Sequence, residues 1–268
     1  MKERILFIGA GKMAGAIAGG LVRRDAAMAR VITAFDPNPA AVETFKENTQ
    51  ANAVSSDVVG LADKAQVILI AVKPQMINEA LAPLTGKLKD KLIISIAAGI
   101  TLERLYELTQ SERIVRVMPN TPALVGAGIS VFTDSGKLSE NDAKITLEIL
   151  SSIGKALPVA ERMLDAVTGL SGCGPAYVFD FLIALAAGGV QQGLPYATAM
   201  ELAVQTVIGS ARLVAETGEH PAVLRDQVIS PGGATAVGCA VLEKNAFRGI
   251  VAQAVVEAAK RSEELGKK

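Results

Sequence analysis

Six consecutive residues, Val67-Ile68-Leu69-Ile70-Ala71-Val72, carry no polar side chain. A strand with one wet face alternates apolar and polar residues. A run of branched aliphatics with no alternation belongs to a strand buried on both faces, as in a parallel sheet sandwiched by helices. Similar Ile-, Val- and Leu-rich runs occupy residues 4–8, 31–35, 92–96 and 114–118. Helix-compatible stretches separate them, at residues 13–24, 39–48, 75–84 and 102–108. Strand and helix in repeated alternation predict an α/β fold built on a doubly wound parallel sheet. Residues 129–132 and 156–159 add expected strands, with a helix over 140–153 between them.

The texture changes near Arg162. Beyond it the short β-runs give way to long helical stretches at residues 175–192, 196–217 and 247–265. These are rich in small residues, among them Ala184, Ala186, Ala187, Gly188, Gly189, Ala203, Gly209, Ser210 and Ala211. A helix that is apolar around much of its circumference must be covered on several sides. About a hundred residues of helix offer too little interior for that, so the helices are expected to pack against a second copy of the chain. A self-contained bundle with Ala-rich surfaces is the alternative. The expected division is residues 1–161 and 162–268.

Composition removes several classes. The chain has 27 Lys and Arg against 27 Asp and Glu and only 4% aromatic residues. A nucleic-acid binder needs a basic face and stacking rings, so neither fits. Cys173 and Cys239 form no CxxC, and His220 is the single histidine, which argues against a disulfide framework or a metal site. No segment reaches the roughly 18 consecutive apolar residues of a membrane span. Lys12 and the break at Gly9-Ala10-Gly11 oppose reading the N-terminus as a signal peptide. A reduced, cytoplasmic setting is the expectation.

After the first run comes Gly9-Ala10-Gly11-Lys12-Met13-Ala14, opening a helix. This is the place of the GxGxxG/A dinucleotide fingerprint. Gly9 permits the tight turn, Gly11 lets backbone approach a pyrophosphate, and Ala14 lets the helix pack on the strand. Exposed N–H groups and the helix dipole then attract phosphate. The second run ends at Asp36, at the spacing of a ribose-binding acid. No Arg or Lys lies between Asp36 and Glu43 to receive a 2′-phosphate, so the residues lean toward NADH, unless Asp36 merely starts the turn before Pro37.

Three further loops follow strand ends, where open α/β sheets bind ligands. They are Val72-Lys73-Pro74, Ala97-Ala98-Gly99 and Pro119-Asn120-Thr121-Pro122. Each is also readable as an ordinary turn. In the helical half, Ser230-Pro231-Gly232-Gly233-Ala234-Thr235 leads into a helix and makes a second anion cradle, suited to a small carboxylate. Thr235 as a plain helix cap is the competing reading.

Together these blocks, with Arg116-Val117-Met118-Pro119-Asn120-Thr121-Pro122 and Gly169-Leu170-Ser171-Gly172-Cys173-Gly174-Pro175-Ala176-Tyr177, resemble pyrroline-5-carboxylate reductases along essentially the whole chain. The resemblance implies reduction of 1-pyrroline-5-carboxylate, a small cyclic imine, to L-proline by NAD(P)H. It implies an N-terminal Rossmann domain and a C-terminal helical domain that forms a homodimer or larger homo-oligomer. Cofactor contacts then fall on Ile8, Gly9, Ala10, Gly11, Lys12, Met13, Asp36, Ala71, Val72, Lys73, Pro74, Ala97, Ala98, Gly99 and Asn120. Substrate contacts fall on Ser230, Gly232, Gly233, Ala234 and Thr235. Cys239 departs from the family's usual aliphatic residue, and Asp36 from residues compatible with NADPH.

Imine reduction needs a positioned hydride donor and a proton, but no strong base. Thr235 is the candidate hydrogen-bond or proton donor; Tyr177 reads as packing. A β-hydroxyacid dehydrogenase is the rival enzyme class, but it needs a general base. The stretch 169–192, where that class resembles itself in carrying a lysine, has no Lys, Arg or His here. A non-catalytic dinucleotide-binding scaffold is the second alternative. His220 and Cys173 read as surface and packing residues.

Overall fold

The structure is a computed structural model that describes residues 2–266. Its contacts divide the chain into two compact units. One comprises the residues up to Gly172 together with those from Glu257 onward; the other is Cys173–Val256.

The first unit holds β1 (Ile5–Ile8), α1 (Lys12–Arg24), β2 (Ile32–Phe35), α2 (Pro39–Thr49), β3 (Asn52–Val54), α3 (Val58–Lys64) and β4 (Val67–Ile70). It continues through α4 (Ile77–Leu81), β5 (Leu92–Ser95), α5 (Leu102–Thr109), β6 (Ile114–Met118), β7 (Gly128–Asp134), α6 (Glu140–Ser151), β8 (Gly154–Pro158) and the single turn α7 (Leu164–Val167). The strands form one sheet in the order β3-β2-β1-β4-β5-β6-β7-β8. The order reverses between β1 and β4, which makes the crevice at their carboxyl ends the ligand-binding switch point.

The uninterrupted apolar run is explained by two cores. Ile5, Phe7, Val67 and Leu69 point into one, with Ile17, Leu21 and Phe45 from α1 and α2. Leu6, Ile8, Ile68 and Ile70 point into the other, with Ala62, Ile77, Leu81 and Leu105 from α3, α4 and α5. The rings of Phe7 and Phe45 meet at 5.9 Å between centroids, a tilted pairing that adds to area burial. Substituting a charge at any of β4's four positions would bury it without a partner.

The sheet departs from expectation in being mixed. β7 runs antiparallel to β6, while β8 is parallel to β7. Between Met118 and Gly128 lies only a 3-10 turn over Thr121–Val125, too short for a crossover helix, so the chain folds back. Short elements went unread, among them β3 and α3. β3 has three residues and α3 seven, too few to show a period. The expected helix over 75–84 is reduced to α4 between 3-10 turns at Pro74–Met76 and Ala82–Leu84, the first begun by Pro74 and the second carrying Pro83 at its second position.

The second unit is helical: α8 (Gly174–Gln191), α9 (Tyr196–Thr217), α10 (Pro221–Gln227), α11 (Ala234–Lys244) and the first part of α12 (Phe247–Gly266). α8 and α9 approach closely at Gly189, where an added β-carbon would come within 3.0 Å of the Ala199 methyl. His220 is the N-cap of α10, with Nδ1 accepting the Ala222 N–H at 3.2 Å, and Pro221 starts the helix. The buried hydrophobic residues of this unit are Ala186, Ala199, Ala203 and Leu224. Phe179, Ile183, Leu202, Ile208, Leu213 and Ile250 are exposed. One helical run, Glu161–Gln191, is long and apolar enough by hydropathy to cross a membrane. Its longest apolar stretch, residues 181–190, is preceded by Asp180 and stops at Gln191-Gln192, which is why counting consecutive apolar residues passes over it.

Candidate functional site

Gly9 follows β1 with φ of +102°, and a β-carbon there would lie 2.9 Å from the Ala71 carbonyl oxygen. Only glycine fits both constraints. The turn is pinned on both sides: the Gly9 N–H donates to Phe35 O at 2.8 Å, and the Ala71 N–H to Ile8 O at 2.8 Å. Gly11 is the N-cap of α1 and supplies no side-chain cap, so the first-turn N–H groups of Lys12 and Met13 lack intrahelical partners. A β-carbon on Gly11 or Gly15 meets nothing within 4 Å. That open space above an uncapped helix start is what a pyrophosphate requires.

Asp36 lies directly beyond β2. Its Oδ2 accepts the Ala10 N–H at 2.9 Å, and its Oδ1 the Asn38 N–H at 2.9 Å. The carboxylate therefore does begin the turn before Pro37, and it also holds the glycine loop. A carboxylate offers about four acceptor sites, so two remain for hydroxyl donors.

The other strand-end loops fall at the same edge of the sheet. Ala71 and Val72 follow β4 and are half-buried; Lys73 is exposed and precedes the 3-10 turn begun by Pro74. Ala97 is buried and its N–H donates to Ser95 Oγ at 3.3 Å, Ala98 is exposed, and Gly99 adopts φ of +76°. Asn120, past β6, uses Oδ1 to accept the Ile129 N–H at 2.9 Å. Its carboxamide thus braces the start of β7 beside a cavity of about 410 Å³ shared with Gly126, Gly128, Gly154 and Lys155.

In the helical unit, Ser230, Gly232, Gly233, Ala234 and Thr235 form one compact turn. Gly232 adopts φ of +70°, and the Gly233 N–H donates to Ser230 O at 3.0 Å. Gly233, not Thr235, is the N-cap of α11, without a side-chain cap. Thr235 is exposed in the first turn, its hydroxyl beside helix N–H groups that have no partner within the helix. A β-carbon on Gly233 would collide with Ser230 Oγ at 2.2 Å. Tyr177 lies 3.5 Å from the Ala254 carbonyl, and burial and the neighbouring Cys173 both push its hydroxyl pKa up.

One residue the sequence reading passed over is Glu161. It pairs with Arg116, whose guanidinium is buried within β6, at 2.9 Å. The available signal was Arg116 itself: an arginine inside the apolar run 114–118 demands a carboxylate partner from elsewhere.

Residues 161–265 match the family model described as pyrroline-5-carboxylate reductase dimerisation, and residues 4–99 the one described as NADP oxidoreductase coenzyme F420-dependent. A pyrroline-5-carboxylate reductase of Arabidopsis thaliana is 46% identical over 98% of this chain and 95% of its own length. That of Synechocystis is 43% identical over the full length of both. Among solved structures, the Plasmodium falciparum pyrroline carboxylate reductase with NADP bound has a TM-score of 0.88 and 35% identity, covering 99% of this chain and 98% of that one. The Coxiella burnetii pyrroline-5-carboxylate reductase reaches 0.91 at 32% identity, covering 99% of each.

Proposed function

The chain belongs to the pyrroline-5-carboxylate reductase family, and on that premise we infer how its residues divide the reaction it performs, the NAD(P)H-dependent reduction of 1-pyrroline-5-carboxylate to L-proline in proline biosynthesis. The observation that carries this assignment is the glycine turn at the switch point, with Gly9 pressed under Ala71 O and Ala10 tied to Asp36.

The residues fit a dinucleotide. Ile8, Gly9, Ala10, Gly11, Lys12 and Met13 hold the pyrophosphate through backbone N–H groups and the start of α1. Asp36 takes the adenosine ribose hydroxyls on its two spare acceptor sites. Because Asp36 repels a 2′-phosphate and residues 37–42 hold no cation, we propose that NADH is preferred over NADPH. Ala71, Val72, Lys73, Pro74, Ala97, Ala98, Gly99 and Asn120 line the remainder. When bound, the nicotinamide supplies a hydride.

The turn from Ser230 to Thr235 binds the substrate carboxylate, with Ser230, Gly232, Gly233 and Ala234 giving backbone and hydroxyl donors at the start of α11. Thr235 donates a hydrogen bond to the ring nitrogen or relays a proton to it. Protonation makes the carbon–nitrogen double bond an iminium; hydride addition to its carbon then completes a neutral secondary amine. Holding both reactants in register supplies much of the acceleration.

We further propose that the functional division lies at residues 161–162, with 162–268 forming the homodimer. The dimerisation model spans 161–265, and the exposed apolar helix faces of Cys173–Val256 support this reading. We place the enzyme in the cytoplasm, in keeping with bacterial relatives such as that of Escherichia coli, 41% identical over the full length of both chains. The deciding experiment is cofactor oxidation with 1-pyrroline-5-carboxylate, run with NADH and NADPH in parallel. Turnover with neither would overturn the assignment.

A further inference from the structure

Two sets of contacts converge on the loop that follows β5. A single oxygen, Glu161 Oε1, accepts both the Leu102 N–H at 2.8 Å and Arg116 Nη1 at 2.9 Å. Leu102 is the first residue of α5, and its N–H has no partner within the helix. The capping hydroxyl of Thr101 serves a different donor, the Arg104 N–H at 3.1 Å. Arg116 lies in β6, the strand that leads to Asn120, and its side chain is 10% exposed. Glu161 therefore ties the far end of the 97–101 loop to a neighbouring strand of the sheet.

The second set comes from the end of α12. The Ser262 hydroxyl donates to Asp165 Oδ1 at 2.7 Å, one helical turn beyond Glu161. The helix then brings Gly266 against Gly99: a β-carbon on Gly266 would come within 3.3 Å of the Gly99 carbonyl oxygen. Gly99 itself adopts φ of +76°, a backbone conformation that favours glycine.

We propose that Glu161 is a positioning residue for the reaction. Through Oε1 it fixes the 97–101 loop against which the dinucleotide lies, and the last turn of α12 backs that loop from the side of Gly99. This rests on the assignment of Ala97, Ala98 and Gly99 to the cofactor site.

The test measures the Kd for NADH by its fluorescence on binding, and Tm by thermal melting, on the full chain. Glu161→Ala is expected to raise Kd roughly five- to twentyfold. The hydrogen bond lost holds the loop and not the cofactor, so only part of the worth of a bond to a charged acceptor reaches binding. Glu161→Gln keeps an acceptor at Oε1 and is expected to recover most of that affinity. Because Glu161→Ala strands a buried guanidinium, the double variant Glu161→Ala with Arg116→Met separates folding from positioning. It is expected to restore Tm while Kd stays raised. Ala98→Asp tests the loop itself by placing a charged side chain at an exposed position of the surface assigned to the dinucleotide, and is expected to raise Kd at least tenfold. If the double variant restores Kd as well as Tm, or if Glu161→Ala leaves Kd unchanged while Ala98→Asp raises it, the positioning role falls and the loop assignment stands. If Ala98→Asp leaves Kd unchanged, the loop is outside the site and both fall.

Discussion

Asp36 holds Ala10: the carboxylate at the end of β2 accepts an N–H from the middle of the glycine turn after β1, at 2.9 Å. The same group that would read the ribose thus also shapes the loop that would hold the pyrophosphate. Asp36→Ser should therefore do two things at once. Removing the negative charge should raise the NADPH-to-NADH ratio of kcat/KM by roughly tenfold or more, one opposed charge contact being worth about 1–3 kcal/mol. Losing the Ala10 acceptor should also weaken NADH by a few-fold. Steady-state kinetics with both coenzymes gives both numbers, and an unchanged ratio removes Asp36 from coenzyme choice.

The glycines of the turn divide by what surrounds them. Gly9→Ala meets a positive φ and the Ala71 carbonyl at 2.9 Å, so the fold itself should suffer, by about 1–3 kcal/mol. Gly11→Ala meets no protein atom within 4 Å, so Tm should hold while KM for the coenzyme rises. Thermal melting beside coenzyme titration separates the two. A Gly11→Ala enzyme with wild-type coenzyme KM would place the pyrophosphate elsewhere.

How much of this was readable beforehand follows from where the information lies. The glycine turn, Asp36 and the 230–235 block are local: their chemistry is carried by neighbours in sequence, and a reader of the chain finds them. β4 was readable because burial on both faces erases alternation. β3 and α3 were not, since three and seven residues show no period and their burial is conferred by neighbours. The direction of β7 depended on the length of a connection rather than on the strand's own residues. Glu161 stands 45 positions from Arg116, and nothing short of the fold pairs them.

Thr235 stands exposed in the first turn of α11, so its removal should not disturb folding. Thr235→Ala should raise KM for the imine and lower kcat, together costing on the order of 10- to 100-fold in kcat/KM if the hydroxyl touches the ring nitrogen. Coenzyme Kd should be unchanged. If KM and kcat both stay within about twofold of wild type, Thr235 has no contact with the reacting atoms.

Acid should weaken the first unit through Asp142. Burial disfavours its charged form, but hydrogen bonds from Arg113 and from the backbone and hydroxyl of Ser139 outweigh this and hold its carboxyl below the ordinary range. A carboxyl lowered on folding contributes stability above its unfolded pKa of about 4, and that contribution is lost as pH falls through the folded value. Chemical denaturation from pH 7 down to 3 should show the loss below about pH 4. Asp142→Asn should be less stable at pH 7 and should flatten that part of the acid limb; an unchanged limb would assign it to other carboxyls.

The helices of Cys173–Val256 leave large apolar side chains in water, Phe179 at 58% exposure and Leu202 at 54% among them, while the buried hydrophobic residues of that unit are three alanines and one leucine. Four such side chains cannot offset the ordering of some eighty residues at about 1–2 kcal/mol each. A second copy covering those faces would contribute about 25 cal/mol for every Å² of apolar surface removed from water. Phe179→Glu places a charge on that face, and a buried charge without a partner costs several kcal/mol. Sedimentation velocity should then show the variant shifting from dimer or larger assembly toward monomer, with lower Tm and lower activity at low protein concentration. Wild-type assembly in the variant would mean that the face around Phe179 lies outside the contact between copies.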